Sequence, residues 1–295
     1  MTKELLQVFR DKGFTHLALE AFTNKNEKIN EQGYPTINMG VYTDEPLFGE
    51  LIREAIRLDF QIVSFQPSTS EFDRAKKIVA KNMNLSSKDH KLALNAANWS
   101  KAMNINRQFN KSKANKYLVI TNKDQTNKKE VNGIRSIAYW FEQITQTSPY
   151  TIDQVTMNEH CPAIEHPVYK FANVNYPAVL KKYTKVYNAP INDIENLSDL
   201  QIFHPRTQFV QNRPTWLKQG DDKVAVQINA DQYNMSYPLI VIAYEPNEDL
   251  EIAVPLDVIE ITDAKTAMPL FLPPGPISLV LKDKKTRKKL DIVVK

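Results

Sequence analysis

An α/β domain followed by a smaller all-β domain is the fold class that this sequence predicts. Three observations carry it. Short apolar strands alternate with helical patterns from Met1 to about Val155; prolines at 162, 167, 177, 190, 205 and 214 punctuate the middle; and from Lys223 onward short strands succeed one another across turns. Alternation favours a parallel sheet flanked by helices, and serial short strands favour a sandwich or small barrel. A length of 295 residues leads to an expectation of about two domains. The expected division is an α/β domain over 1–157, a Pro-rich connector with short helices over 158–222, and a β-sandwich-like domain over 223–295.

The first twelve residues place Leu5, Leu6, Val8 and Phe9 among charges, which is an amphipathic helix and not the unbroken apolar segment of a signal peptide. Thr15–Leu19 reads as a strand that ends on a carboxylate, Glu20. After a polar loop, Thr23–Asn38, a helix runs from about Glu45 to Leu58. Its apolar positions Leu47, Phe48, Leu51, Ile52, Ala55 and Ile56 recur at helical spacing, and Pro46 suits its first turn. Gln61–Phe65 and Tyr117–Ile120 read as further strands, with Tyr150–Gln154 as a fourth. Helices are expected at Glu71–Asn82, Asp89–Phe109 and Asn132–Thr145, joined to the strands by right-handed crossovers. In the connector a short helix is expected near Pro177–Tyr187. The strands of the second domain are Val224–Ile228, Leu239–Tyr244, Val254–Ile261, Pro269–Leu272, Ile277–Leu281 and Leu290–Val294.

Composition narrows the function classes. Hydrophobic residues at 42% and charged residues at 24% describe a folded chain. The net charge of +4 is too small an excess to call for nucleic acid or an anionic membrane, and no apolar run reaches the roughly 18 residues of a membrane span. The basic run Lys282–Lys289 lies between two strands and reads as a solvated hairpin tip. Cys161 is the single cysteine, so no internal disulfide forms. As written the chain is expected to be cytoplasmic, or exported if a signal segment lies upstream of Met1. Walker, Gly-x-Gly-x-x-Gly and Gly-x-Ser-x-Gly sequences are absent, which leaves nucleotide cofactors and a serine nucleophile elbow unsupported.

Glu20 marks the expected site, because ligands in open α/β sheets bind outside the carboxyl ends of the strands. The stretch from Gly33 to Ala55 holds Gly33, Gly40 and Gly49, three of only seven glycines. It is expected either to fold as a compact cap or to supply Tyr42, Glu45 and Arg53 to a pocket beside Glu20. The motifs Thr15-His16-Leu17-Ala18-Leu19-Glu20, Gly33-Tyr34-Pro35, Gly40-Val41-Tyr42-Thr43-Asp44-Glu45-Pro46-Leu47-Phe48-Gly49 and Leu51-Ile52-Arg53-Glu54-Ala55 together resemble bacterial members of the erythromycin-esterase-like, haem-uptake (ChaN-like) and Tiki/TraB superfamily. The similarity extends through Ser148–Gln154 and on to His204-Pro205-Arg206-Thr207 and Asn212–Leu217.

That resemblance implies a polar site assembled from strand ends: a Gly-Glu…His motif on a first strand, a Glu ending a second, an Arg-Glu pair on a helix, and a His after a later strand. Glu20 supplies the second element. A Gly-Glu…His does not precede it; Ala97-Asn98 stand where the Arg-Glu pair is implied, and Asp124-Gln125 where the His is implied. Losing a general base commonly costs about 10²–10⁴ in rate, so several such losses leave little catalysis.

Two other constellations stand out. Glu159, His160, Cys161 and His166 are metal-capable residue types, but their spacing matches no zinc pattern. His204 and Arg206 with Arg213 and Trp216 read as an ordered junction, or as an anion or glycan contact made by Arg forks and an aromatic platform. The leading expectation is a degenerate, non-catalytic member of the scaffold with a binding role toward a small molecule or protein. A hydrolase of esters, lactones or peptides, using Glu20 with Tyr42, Glu45, Arg53, Asn98 and Asp124 as pocket residues, is the alternative. Haem binding through Tyr42 or His16 is a third. No cofactor is expected from the leading reading, with haem or a divalent metal entering only through the alternatives.

Overall fold

The computed structural model describes residues 2–23, 28–112, 114–161, 164–171, 173–179, 197–218, 223–266 and 268–295. In chain order the elements are α1 (Thr2–Asp11), β1 (Phe14–Leu19), α2 (Ile29–Gln32), α3 (Pro46–Arg57), β2 (Gln61–Ser64), α4 (Thr69–Met83), α5 (His90–Phe109), β3 (Lys116–Ile120), α6 (Ile137–Thr145), β4 (Ile152–Asp153), α7 (Pro167–Phe171), β5 (Ala178–Val179), β6 (Leu200–Phe203), β7 (Phe209–Val210), β8 (Arg213–Pro214), β9 (Val224–Val226), β10 (Leu239–Tyr244), β11 (Asp257–Ile261), β12 (Leu270–Leu272), β13 (Gly275–Lys282) and β14 (Arg287–Val294). They form two compact units that interleave along the chain. An α/β unit comprises Gly13–Asn24 and Val63–Arg206; a β-rich unit comprises Met1–Lys12, Lys25–Ile62 and Thr207–Lys295.

In the α/β unit, β1 and β3 pair in parallel, with Leu17 opposite Leu118 and Leu19 opposite Ile120, and β1 is the central strand of the order β2-β1-β3. Ala18 and Phe65 share one core with Val79 of α4, Leu92, Ala102 and Ile105 of α5, and Ile137 and Trp140 of α6. Local chemistry sets the helix starts. Ser68 and Glu71 form a reciprocal capping box at α4, and Asp89 caps α5. The helix expected from Asn132 begins only at Ile137. Asn132 and Gly133 both adopt positive φ (52° and 77°), closing a tight turn between Val131 and Ile134 before Ser136 caps α6.

The expected fourth strand is also reassigned. Ile152–Asp153 pairs in parallel with Leu200–Gln201 in a separate small sheet of order β4-β6-β5, fastened where the Asp199 carboxylate accepts from the Thr151 N–H at 2.7 Å. Where a helix was expected near Pro177–Tyr187, Ala178–Val179 is a short strand paired with Ile202 and Phe203; 180–196 lie outside the described residues. Pro167–Phe171 supplies one short helix of the connector.

The β-rich unit has an antiparallel sheet of order β11-β10-β13-β14 and a two-stranded sheet of β12 and β9. Leu239, Val241 and Ala243 of β10 are buried with Leu279 and Leu281 of β13, Ile259 and Ile261 of β11, and Leu270 and Leu272 of β12. The alternation along β11, buried at positions 257, 259 and 261 and exposed at 258 and 260, is the period-two signature of a one-sided sheet. The basic run closes the β13–β14 hairpin: Asp283 accepts from the N–H groups of Lys285 (2.8 Å) and Thr286 (2.6 Å). Among the described residues, no helix is long and apolar enough to cross a membrane.

The stretch rich in glycine belongs to this second unit. Thr36 bridges Ala253, Ile37 N–H donates to Ile252 O (2.7 Å), and Val254 N–H donates to Pro35 O (3.0 Å). On α3, Arg53 forks onto the Glu248 carboxylate, with its Nε at 2.7 Å, and donates to Val254 O. Gly49 lies beneath that contact: a Cβ there would stand 2.7 Å from Val254 Cγ1. Glycine is therefore needed for close approach at this point, and not for its φ.

Candidate functional site

Glu20 follows three buried strand residues, Leu17, Ala18 and Leu19, and its own N–H still joins the ladder by donating to Ile120 O at 3.0 Å. The carboxylate consequently sits at the carboxyl ends of the strands, beside Gln66 beyond β2 and Thr121 and Asn122 beyond β3. Lys101 Nζ lies 2.6 Å from Glu20 Oε1, and both side chains are only 15% exposed. Oε2 accepts from the Thr121 hydroxyl, from the Asn122 N–H at 3.1 Å and from Asn122 Nδ2 at 3.4 Å. The Gln66 amide donates to the Glu20 carbonyl. Burial pushes the Glu20 carboxyl upward, but the Lys101 ammonium and the Thr121 and Asn122 donors outweigh it and hold the group below its ordinary value. A carboxylate so held is a weaker base, and its lone pairs are already spent on fixed donors.

Lys101 is the residue that the sequence analysis did not place beside Glu20. The signal lies in a polar row along α5: Asn95, Asn98, Lys101, Asn104 and Arg107 recur every third residue, a spacing that aligns side chains along one helix ridge. Each is engaged. Asn95, fully buried, donates to Gly133 O (3.0 Å) and accepts from Arg135 N–H (2.9 Å). Asn98 donates to Arg135 O at 2.9 Å. Asn104 reaches the carbonyls of Phe65 (3.4 Å) and Gln66 (3.3 Å), and Arg107 pairs with Glu71 at 2.8 Å. This row fastens the segments after β1 and β2, the start of α4 and the turn before α6.

The other residues expected around Glu20 have separate surroundings. Tyr42 is 77% exposed at φ 64°, Glu45 caps α3 by accepting from Phe48 N–H at 3.0 Å, and Arg53 is committed to Glu248; all three belong to the β-rich unit. Asp124 is exposed on a short 3₁₀ turn of the α/β unit. His16 stacks against Tyr117, with ring centroids 4.5 Å apart, and its Nδ1 lies 2.8 Å from Thr15 Oγ1.

The metal-capable segment is engaged in protein contacts. His160 Nε2 lies 2.9 Å from Val155 O, His166 Nδ1 accepts from Val168 N–H at 3.2 Å, and Cys161 is exposed. Glu159 stands 3.9 Å from Arg206, which forks onto Glu165 at 3.1 Å with both nitrogens and lies over the Tyr169 ring. Among the described residues, no group of three or more His, Cys, Asp and Glu side chains is placed to hold a metal ion.

The residues of the junction divide between the units. His204 and Arg206 lie in the α/β unit, where His204 N–H donates to Met157 O at 2.9 Å; Arg213 and Trp216 lie in the β-rich unit. Val210 to Arg213 form a tight hairpin between β7 and β8, with Gln211 and Asn212 at φ 50° and 61°. Arg213 Nη2 then donates to both oxygens of Asp257, at 2.6 and 2.7 Å, and both side chains are 11% exposed. Trp216 is 41% exposed. Arg213 and Asp257 line a cleft of about 210 Å³ within this unit, together with Glu45, Pro46 and Leu47 at the start of α3, Leu217, Lys223, Leu256, Val258 and Phe271. Comparisons with protein-family models, with curated proteins and with solved structures gave no match.

Proposed function

We propose that this chain is a non-catalytic binding protein on a scaffold resembling the erythromycin-esterase-like and Tiki/TraB superfamily, with its strand-end site converted into a fixed ion-pair network. The observation that carries this reading is the engagement of both Glu20 oxygens by Lys101, Thr121 and Asn122. A general base needs a lone pair directed at water or substrate and a proton affinity near the working pH. Glu20 has neither, and Asn98, at the implied place of an ionisable pair, spends its amide on Arg135 O. The Glu45, Arg53 and Tyr42 side chains, which a Glu20-centred hydrolase would recruit, serve a helix cap, an ion pair and an exposed loop of the other unit.

The test is a panel of esters, lactones and peptides offered to the wild type and to Glu20→Gln. Equal, background-level rates are expected from the two proteins. Turnover above background that disappears in Glu20→Gln would overturn the reading and restore a hydrolase.

A further inference from the structure

The cleft in the β-rich unit has walls of one chemistry and charges of another. Leu47 and Leu217 provide apolar surface, the buried Leu256 and Phe271 also line it, and its volume is about 210 Å³. That is below the roughly 300–1,000 Å³ of sites for drug-sized molecules, so the occupant is small.

Its charges are matched, with one exception. Arg213 is neutralised by the two-point contact to Asp257, and Lys223 by Glu50. Glu45 has no ion-pair partner among the described residues; Oε2 accepts a backbone N–H from Phe48, and the acids Glu50 and Asp44 act on it. Although much of the residue is open to solvent, the protein packed around its carboxyl, followed by those two acids, raises the group above its ordinary value against the pull of the helix N–H donors. The Glu45 carboxylate is thus capped by backbone N–H groups and paired with no cation among the described residues. The Phe271 ring already carries Arg213 at 5.3 Å and Lys218 at 5.2 Å, so an added cation is matched to Glu45 and not to the ring.

We infer that the cleft binds a small organic amine, whose ammonium pairs with Glu45 and whose apolar body lies against Leu47, Leu217, Leu256 and Phe271. The ammonium supplies the missing counter-charge in a charge-assisted hydrogen bond, and the apolar body displaces water from the leucine wall. An anionic ligand of the same size would meet the Glu45 and Asp257 carboxylates on the same lining.

This site rests on the reading of the chain as a binding protein, and the two fail separately: Glu20-dependent turnover would overturn that reading without touching amine binding. The experiment is calorimetric titration of the full chain with phenethylamine, 2-phenylethanol and 3-phenylpropanoate, which share a ring and differ in the charge of the head group. Saturable binding of phenethylamine is expected, weaker binding of the alcohol, and the weakest of the carboxylate. Glu45→Gln keeps an oxygen to cap α3, so the fold is retained, and it should weaken the amine by about tenfold or more. Leu217→Trp fills the cleft and should abolish binding, while Glu20→Gln should bind as the wild type does. Absence of saturable amine binding, equal affinity in Glu45→Gln, or tighter binding of 3-phenylpropanoate would overturn the proposal.

Discussion

At the scale of single residues, the Glu20–Lys101 pair has a measurable signature. Removing one partner of a fully buried pair costs about 3–5 kcal/mol, because the other charge is left uncompensated. Both partners here keep 15% exposure, so Lys101→Met should cost less, about 1–3 kcal/mol at neutral pH by urea denaturation. Glu20→Gln with Lys101→Met should lose less than the sum of the two single variants, since the double variant buries no lone charge; additive losses would show that the pair is energetically idle. The pH dependence has a definite sign. The folded carboxyl of Glu20 lies below its ordinary 4.5, so its contribution is complete above that value and is lost as pH falls through the lower folded value. The gap in stability between wild type and Lys101→Met should therefore narrow below about pH 4.5.

At the scale of elements, two helices are tied down by contacts of opposite kinds. Gly49 lets α3 approach Val254 until no Cβ fits, and Gly49→Ala should cost about 1–3 kcal/mol through overpacking. A partial rescue by Val254→Ala in the same background would locate the clash, whereas an unchanged urea midpoint for Gly49→Ala would exclude it. On α5 the tie is polar. Asn95→Leu strands the Gly133 carbonyl and the Arg135 N–H inside the unit, at about 1–3 kcal/mol for each unsatisfied group. Faster hydrogen exchange at the Arg135 amide is the expected local readout; retained protection there would mean that another acceptor takes over. Neither tie follows from apolar periodicity. The apolar residues at 47, 48, 51, 52, 55 and 56 announce α3 as a helix, yet the partner at 248–254 lies about two hundred residues along the chain.

At the scale of the whole molecule, the sequence made the fold class legible because burial writes a period into each element. The strand at Leu239–Tyr244 emerges at its observed bounds, and the helix ending at Phe109 within one residue of them, for that reason. The interleaving of the units was not legible. It depends on Arg53 with Glu248 and on Pro35 with Val254, pairs whose members carry no mutual sequence signal. Glu20 was legible as a strand end and Lys101 was not, although the polar row at every third residue of α5 was present to be read.

The acid response sums over both units. Burial lowers His16, His166 and His204 below the ordinary 6.5, so the unfolded chain takes up protons there before the native one, and stability starts to fall as pH drops through that value. Glu71 is lowered to about 2 because the Ser68, Arg107 and Asn104 donors outweigh its partial burial, so its share is lost between 4.5 and about 2. Glu45 and Glu245, both raised by burial, act with the opposite sign: their contribution is present at low pH and is lost as pH rises through their folded values. Each proton of difference sets a slope of about 1.4 kcal/mol per pH unit. Urea midpoints measured from pH 7.5 to 3 should fall in two stages, a first that begins as pH drops through 6.5, from the histidines, and a second below about 4.5 from the carboxylates. Replacing His204 and His166 with Gln should flatten the first stage and leave the second in place; an unchanged first stage would assign that loss to other groups.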